Sequence, residues 1–533
     1  MRKLENPIEP ERGAGIRAAA SLRTLRLPSE LPSSRFVLLL GLTDLALHLA
    51  GSGRYGFFRD ELYYIACGNH LALGYVDQPP LIALVARLSS LTLGNTLSGF
   101  RFFPALAGSC LVLLTGWLTR ELGGGRFAQA LASLGVFLAP VYLAFGSFLS
   151  MNAFEPLFWA GCAYTLVRIL KGGDERLWLL FGALAGIGLQ NKHTMLMCGF
   201  GIVSGIILAG RWRVMRSKWF WLGGILALVI FLPNLIWEAQ HGWPQIEVVR
   251  NCQRLKNTGI GLWRFFGEQI LFLNPVAFPV IAAGVGWLLL SREGRRFRPL
   301  AWAFVFILAV VIILNGKTYY PLPFYPVLFA AGAVGFGRLL LESRKWVRVC
   351  YLTLLVVSGV LMLPFGVPVL SIETLLRYQK VISLENVVKM EHDSKGDLHQ
   401  LYADMIGWEN MAATIATVYH SLSPSESARC AIMAGNYGEA GAIDFFGPRY
   451  GLPDAISGHN NYYFWGTHGY TGEIAIVFGQ NAESVKQMFE SAEKVAIISN
   501  AQAAPAERRL PVYICRRSKV PLAQLWPQLR YFE

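Results

Sequence analysis

Apolar residues in this chain run on without interruption instead of alternating. Long runs lie near 35–53, 101–119, 127–148, 152–170, 177–191, 194–210, 218–237, 269–290, 299–315, 320–341 and 346–368. A helix needs roughly 20 mostly apolar residues to cross a bilayer. The pattern therefore predicts a polytopic α-helical membrane protein with about eleven spans. The runs 177–191 and 194–210 are short and closely joined. Residues 1–34 are polar and basic and show no small-residue cleavage site, so 35–53 reads as a retained first helix. Beyond about residue 370 the pattern changes. Short strand-like stretches, ARCAIMAG (428–435), EIAIVFG (473–479), KVAIISN (494–500) and LPVYICR (510–516), alternate with helical patterns at 401–422 and 482–492. This predicts a soluble C-terminal α/β domain. The expected organisation is a basic arm (1–34), a transmembrane domain (35–369) with a first outer loop (54–100), and an α/β domain (370–533).

Composition sharpens the picture. Of 533 residues, 54% are hydrophobic and 15% charged, against about 25% charged in ordinary globular domains. So little charge excludes a disordered chain and a soluble one of this size. The net charge of +14 is not a nucleic-acid footprint, because it is unevenly held. Residues 370–533 carry 14 Lys/Arg and 17 Asp/Glu, whereas the other 369 carry 34 and 17. The excess sits in the N-terminal arm and in RELGGGR (120–126), KGGDER (171–176), RWRVMRSK (211–218), SREGRRFR (291–298) and RLLLESRKWVR (338–348). Basic loops stay cytoplasmic. The intervening loops 54–100, 147–151, 191–193, 238–268 and 315–319 then face outward. With an odd number of spans the N-terminus is cytoplasmic and residues 370–533 are extracytoplasmic. Eight cysteines form no CxxC pair; Cys430 and Cys515 are the one pair that an extracytoplasmic domain could oxidise.

The first outer loop, RYGFFRDELYYIACGNHLALGYVDQPPLIALVARL (54–88), concentrates the chemistry. Leu62, Ile65, Leu71 and Leu73 give residues 61–73 an interfacial helical face. Asp60, Glu61 and Asp77 place three carboxylates at the membrane edge, where an acid is costly unless paired or used. Asp60 also suits a helix N-cap. Pro79-Pro80 would start a second interfacial helix, so that two acids flank one cavity. A general base beside a second polar group is what displacement at a sugar carbon requires. In NYGEAGAIDFFGPRYGLP (436–453), a binding loop and a plain strand-to-helix turn remain equally open.

The pattern DELYY…GYVDQPPL resembles the first periplasmic loop of membrane-embedded C-type glycosyltransferases, the dolichyl-phosphate-mannose protein mannosyltransferase and aminoarabinose transferase-like (Rgt-like) superfamily. The resemblance covers roughly residues 35–340. It implies that Asp60 is the base, that Glu61 completes an acidic pair and that Asp77 is a second acid before the proline turn. Gln78 stands where the aminoarabinose transferase has a lysine. SMNAFEPLFW (150–159) is similar to an acid-Pro-Leu motif, with Glu155 one position later than usual. QNKHTML (190–196) is similar to a Lys-Tyr-Thr stretch, with Lys192 at the lysine. GKTYYPLPFYPVL (316–328) resembles a Tyr-Pro segment that holds the lipid phosphate, through Lys317, Tyr319 and Tyr320. Trp237, His241 and Trp243 suit stacking on a sugar, coordination of a metal with a first-loop carboxylate, or interfacial packing.

The resemblance implies a polyprenyl-phosphate sugar donor and a glycan, lipid or protein acceptor. It also implies a bacterial-type inner membrane and no nucleic acid. Cations near the departing phosphate would stabilise its developing charge, although lysines at helix ends also snorkel and interfacial tyrosines form aromatic belts. A single displacement with an Asp base would invert configuration. Some relatives use a divalent ion; this chain has no metal-ligand spacing, so none is predicted. The competing readings are a transporter or flippase of lipid-linked sugars, a ligase of such lipids, and a receptor-like protein with a ligand-binding outer domain.

Overall fold

The computed structural model describes residues 35–255, 261–382 and 398–533. The basic arm 1–34 lies outside them. The chain opens with α1 (Arg35–Gly51), two helices of the first loop, α2 (Arg59–Asn69) and α3 (Leu81–Leu93), and then α4 (Leu97–Glu121). A bent pair follows, α5 (Arg126–Phe137) and α6 (Pro140–Gly146), and then α7 (Met151–Leu170), α8 (Leu177–Asn191), α9 (Met195–Leu208), α10 (Lys218–Gln240) and α11 (Pro244–Leu255). A second bent pair is α12 (Leu262–Phe272) and α13 (Phe278–Leu290). The helices α14 (Arg298–Ile313), α15 (Tyr325–Glu342), α16 (Lys345–Gly366) and α17 (Ile372–Val381) complete this part.

All eleven apolar runs are helical, but the expected eleven crossings are not confirmed. Among the described residues, five helices are long and apolar enough to cross a membrane, or seven if each bent pair counts as one span. The shortfall has physical causes. The helices α1, α8 and α9 have 17, 15 and 14 residues, below the usual span. The helix α7 carries Asn152, Glu155 and Arg168. The bends are written in the sequence. The α5–α6 pair turns by 66° at Ala139, which leaves helical geometry because Pro140 follows it. The α12–α13 pair turns by 95° at Asn274, whose φ is 71°, again before a proline.

Close crossings explain the tight bundle. A Cβ on Gly332 would collide with the Val280 backbone, and one on Gly284 with the Leu328 carbonyl. The helices α13 and α15 therefore touch backbone to backbone, as small residues allow in membranes. Trp159, Phe324, Phe329 and Leu328 lie fully buried in the resulting core.

The C-terminal domain holds a five-stranded sheet of order β2-β1-β3-β5-β4. Its strands are β1 (Cys430–Met433), β2 (Ala455–Ile456), β3 (Ile474–Phe478), β4 (Phe489–Ser499) and β5 (Arg509–Ser518). The first three pair in parallel; β5 pairs antiparallel with both β3 and β4. Cys430 and Cys515 are both free. They stand on strands either side of β3, opposite Ile474 and Ala475. Consecutive residues point to opposite faces, so the two thiols occupy different cores. Two strand spacings, about 9–10 Å, also exceed disulfide reach.

One face of the sheet shares its core with the first loop. Ile432, Ile476, Val512 and helix Tyr437–Phe446 bury against Phe57, Leu62, Tyr63, Ala66 and Phe100. The crossing with α2 is close because Gly441 is there: a Cβ on it would lie 3.0 Å from the Leu62 carbonyl carbon. The first loop and the C-terminal domain therefore lie on the same face of the bundle. Behind the crossing, Asp444 accepts hydrogen bonds from the Ala455 amide (2.8 Å) and the Tyr462 hydroxyl (2.6 Å).

A second anchor fixes the start of α2. Arg101 of α4 and Glu61 are both fully enclosed and meet in a two-pronged ion pair of 3.2 and 3.1 Å. Glu61 also accepts the amides of Phe58 (2.7 Å) and Leu149 (2.8 Å). Arg101 donates to the carbonyls of Ser52, Arg54 and Gly56.

Two outcomes test this packing. Arg101→Met leaves Glu61 buried and uncompensated, a loss of about 3–5 kcal/mol. Thermal unfolding in detergent should fall by several degrees, and the Glu61→Leu/Arg101→Met double variant should recover part of it. A double variant no more stable than the single one would contradict the pairing. Burial pushes Asp444 up from 3.8 to about 7, against the pull of its Tyr462 and Ala455 partners. Between about pH 4 and 7 the folded state therefore holds more proton than the unfolded one, and this group costs stability as pH rises. Across that window wild type should lose melting temperature relative to Asp444→Asn, and the two should run parallel above it. Parallel curves throughout would rule this out.

Candidate active site

The first turn of α2 divides adjacent acids between two tasks. Glu61 turns inward to Arg101, whereas Asp60 turns into a cavity of about 260 Å³. Four of the five loops expected to face outward contribute to that cavity. Asp60 and Tyr64 come from the first, Ser150 from the second, Arg264 and Glu268 from the fourth, where they lie on α12, and Lys317, Thr318 and Tyr319 from the loop after α14. The C-terminal part adds Gln400, Asp404 and Tyr437.

Asp60 keeps about 29% of its side chain exposed and has two named neighbours. The Tyr437 hydroxyl donates to its Oδ1 at 2.8 Å, and Arg59 Nε lies 3.7 Å from the same oxygen. Burial holds the Tyr437 and Tyr64 phenols well above their ordinary range; the Asp60 charge adds to this, and Arg59 opposes it at Tyr437. Both therefore remain protonated donors near neutral pH. Across the cavity lining, Arg264 pairs with Glu268 one helical turn on, at 2.8 Å. The loop bearing Lys317 is tied to α12 by a hydrogen bond from Gln269 to the Thr318 carbonyl.

Lys192 stands one layer behind this lining. Its ammonium donates to Asn152 (2.6 Å) and Glu155 (3.0 Å) and lies 5.4 Å from the ring centres of both Tyr319 and Tyr320. Thr194 donates to the second Glu155 oxygen. Asn152 and Tyr319 themselves face the cavity, so this group backs the wall.

Besides Glu61, Glu155, Lys192 and Tyr320, three further residues expected at the site do not line it. Asp77 accepts from the Tyr63 hydroxyl at 2.9 Å; Tyr63 in turn meets Asn461 of the C-terminal domain, which also binds the Val76 amide. Gln78 is sealed in the loop core, with its amide nitrogen 3.5 Å from Cys67 Sγ. His241 stacks on Trp237 with ring centres 4.1 Å apart and packs edge-on to Phe464. Among the described residues, no three His, Cys, Asp or Glu side chains gather as a metal site. A separate apolar groove of about 450 Å³ runs between the first loop and helices α8 and α10, lined by Leu71, Leu73, Leu84, Ile187 and Ile230.

Sequence reasoning misses Arg264, Asp404 and Tyr437. Arg264 carries a signal, a lone cation in the apolar stretch LWRFFGEQILF. Tyr437 lies in the 436–453 segment, for which a binding loop is one of two open readings. Asp404 has none, since its place in the cavity depends on how the C-terminal domain docks.

Comparison with known proteins agrees with the architecture. The family model for dolichyl-phosphate-mannose-protein mannosyltransferase matches residues 77–237. A lipid A galacturonosyltransferase, RgtD of Rhizobium johnstonii, is 25% identical over 280 residues, or 51% of this chain and 58% of that protein. The match thus spans less than two thirds of the relative. Structures of ArnT from Cupriavidus metallidurans, bound to undecaprenyl phosphate and in the apo state, superpose with a TM-score of 0.55 at 13% identity. They cover 90% of this chain and 98% and 97% of theirs. At that identity the likeness is one of fold. Over residues 77–237 the chain is thus similar to the dolichyl-phosphate-mannose-protein mannosyltransferase family, and over most of its length it shares the fold of ArnT.

Proposed function

We propose that this protein transfers a sugar from a polyprenyl-phosphate donor to a hydroxyl acceptor at the outer face of a bacterial inner membrane. The observation that supports this is one cavity whose lining brings Asp60, with Glu268 and Asp404, together with three cations, Arg59, Arg264 and Lys317. Inverting displacement needs both charges. Asp60 takes the proton of the acceptor hydroxyl as its oxygen bonds to the anomeric carbon. The bond from that carbon to the phosphate oxygen breaks, and the lipid phosphate leaves with one more negative charge. Arg264 and Lys317 stabilise that charge, Arg through a planar fork suited to phosphate oxygens. No covalent enzyme intermediate is required.

On this reading the other expected residues act at one remove. Glu61 aims the first turn of α2. Glu155 holds the Lys192 ammonium against the Tyr319 and Tyr320 rings, which stiffens the wall beside the phosphate. Asp77 ties the loop to the C-terminal domain through Tyr63, and Gln78 and His241 pack it. The five basic connections keep their side cytoplasmic, which puts the N-terminus inside. The C-terminal domain, in one core with the first loop, is then extracytoplasmic. The relative named a lipid A galacturonosyltransferase makes a polyprenyl-phosphate uronic acid and a glycolipid the first donor and acceptor to try.

The test uses proteoliposomes with labelled polyprenyl-phosphate sugars and glycolipid acceptors. Asp60→Asn should reduce glycoside formation by about 10²–10⁴. Lys317→Ala and Arg264→Ala should each weaken undecaprenyl phosphate binding by about tenfold or more, the worth of a charge-assisted bond. Full transfer by Asp60→Asn would exclude the base assignment. Donor movement across the bilayer without glycoside formation would favour a transporter.

A further inference from the structure

The residue that touches Asp60 most directly comes from the other end of the chain. Tyr437 is separated from it by 377 positions and opens helix Tyr437–Phe446 of the C-terminal domain. We infer that Tyr437 is a positioning residue for Asp60, so that the C-terminal domain is a working part of the active site and not only a cover. This rests on the proposed role of Asp60.

The geometry around Tyr437 leaves its ring little freedom. Asn436 caps the helix, its Oδ1 accepting the amides of Gly438 (2.9 Å) and Glu439 (3.0 Å). The Asn436 amide nitrogen in turn donates to Glu439 (3.0 Å) and Glu507 (3.2 Å). Both acids are buried, and Glu439 is held further by the Gly435 amide at 2.7 Å. Burial and mutual repulsion push the Glu439 carboxyl up, and burial pushes up that of Glu507. One proton shared between them suits two acids in a single pocket. The Tyr437 ring packs between Tyr63 (4.7 Å) and His459 (4.8 Å), with the Arg59 guanidinium 5.6 Å from its centre. Gly438 removes the Cβ that would strike the Arg59 side chain.

The consequence for Asp60 is specific. The Tyr437 hydroxyl occupies Oδ1 at 2.8 Å, which selects one carboxylate rotamer and leaves Oδ2 for the acceptor. A base misaligned by a fraction of an ångström loses rate much more than affinity.

The experiment compares wild type with Tyr437→Phe, which keeps the ring and its packing. Two readouts are taken on the full-length protein in detergent or proteoliposomes. The first is labelling of Asp60 by an apolar carbodiimide, followed by peptide mass spectrometry, which needs no sugar donor. Loss of the donated bond should speed labelling at least threefold. The second is transfer, with the binding of undecaprenyl phosphate alone measured beside it. In Tyr437→Phe, kcat should fall at least tenfold, with undecaprenyl phosphate affinity within twofold and the melting temperature unchanged. Equal labelling overturns the inference. So does kcat within twofold of wild type, or a kcat loss matched by weaker phosphate binding and a lower melting temperature, which would mark a merely structural role. If labelling differs but wild type forms no glycoside with any donor, the proposed function falls and this role for Tyr437 falls with it.

Discussion

The face of the bundle that carries the first loop is organised by one buried ion pair. Arg101 and Glu61 are each withdrawn from water, at a desolvation cost of several kcal/mol per charge. That cost is offset only because the partners satisfy each other's remaining groups. Glu61 takes two backbone amides besides Arg101, and Arg101 takes three carbonyls from the turn between α1 and α2. The pair thus ties together α4, the chain reversal at 52–56, the start of α2 and the 147–151 loop. Because Glu61 is locked inward, its neighbour Asp60 must leave the first turn in another direction, toward the cavity. Two adjacent acids that look equivalent in sequence are separated into a scaffold and a chemical group by a single partner.

The second constraint is the shared core. The sheet's inner face has no complete apolar cover of its own, and the amphipathic α2 has no span to lie in. Each buries the other, with Gly441 permitting the close crossing. This couples a soluble domain to a membrane loop strongly enough that Asp404, Gln400 and Tyr437 end on the same cavity wall as Arg264 and Lys317. The charge asymmetry along the chain fits this arrangement. The basic connections lie apart from the cavity, whose lining comes mainly from the intervening loops and the C-terminal domain.

Much of this architecture is legible in the order of residues. Each of the eleven apolar runs falls on helix, but 127–148 and 269–290, expected as single spans, are bent at Pro140 and Pro275. Four strands lie within a few residues of their expected places, since each is a short β-rich run bounded by turn residues; the two-residue β2 is too brief to show. The Asp60–Lys317–Tyr319 grouping is also legible, because loop sidedness alone gathers those segments. What is not legible depends on long-range docking. Asp77 and Gln78 are expected on the cavity, but Asp77 is bonded to Tyr63 behind the lining, near Tyr64 and Tyr437, and Gln78 is buried in the loop core. His241 is drawn into aromatic packing with Trp237 and Phe464. Cys430 and Cys515 face opposite sides of one sheet, which their spacing along the chain cannot reveal.

On the proposed function, the cavity between the first loop and the C-terminal domain receives a lipid-linked phosphate. Photolabelling with a diazirine-bearing undecaprenyl phosphate tests it most directly. The account predicts crosslinks on peptides containing Asp60–Tyr64, Arg264–Phe272, Lys317–Tyr319 and Tyr437, competed by unlabelled undecaprenyl phosphate. Competed labelling confined to the apolar groove at Leu71–Leu84, Ile187 and Ile230, with none on Lys317 or Arg264 peptides, would contradict it.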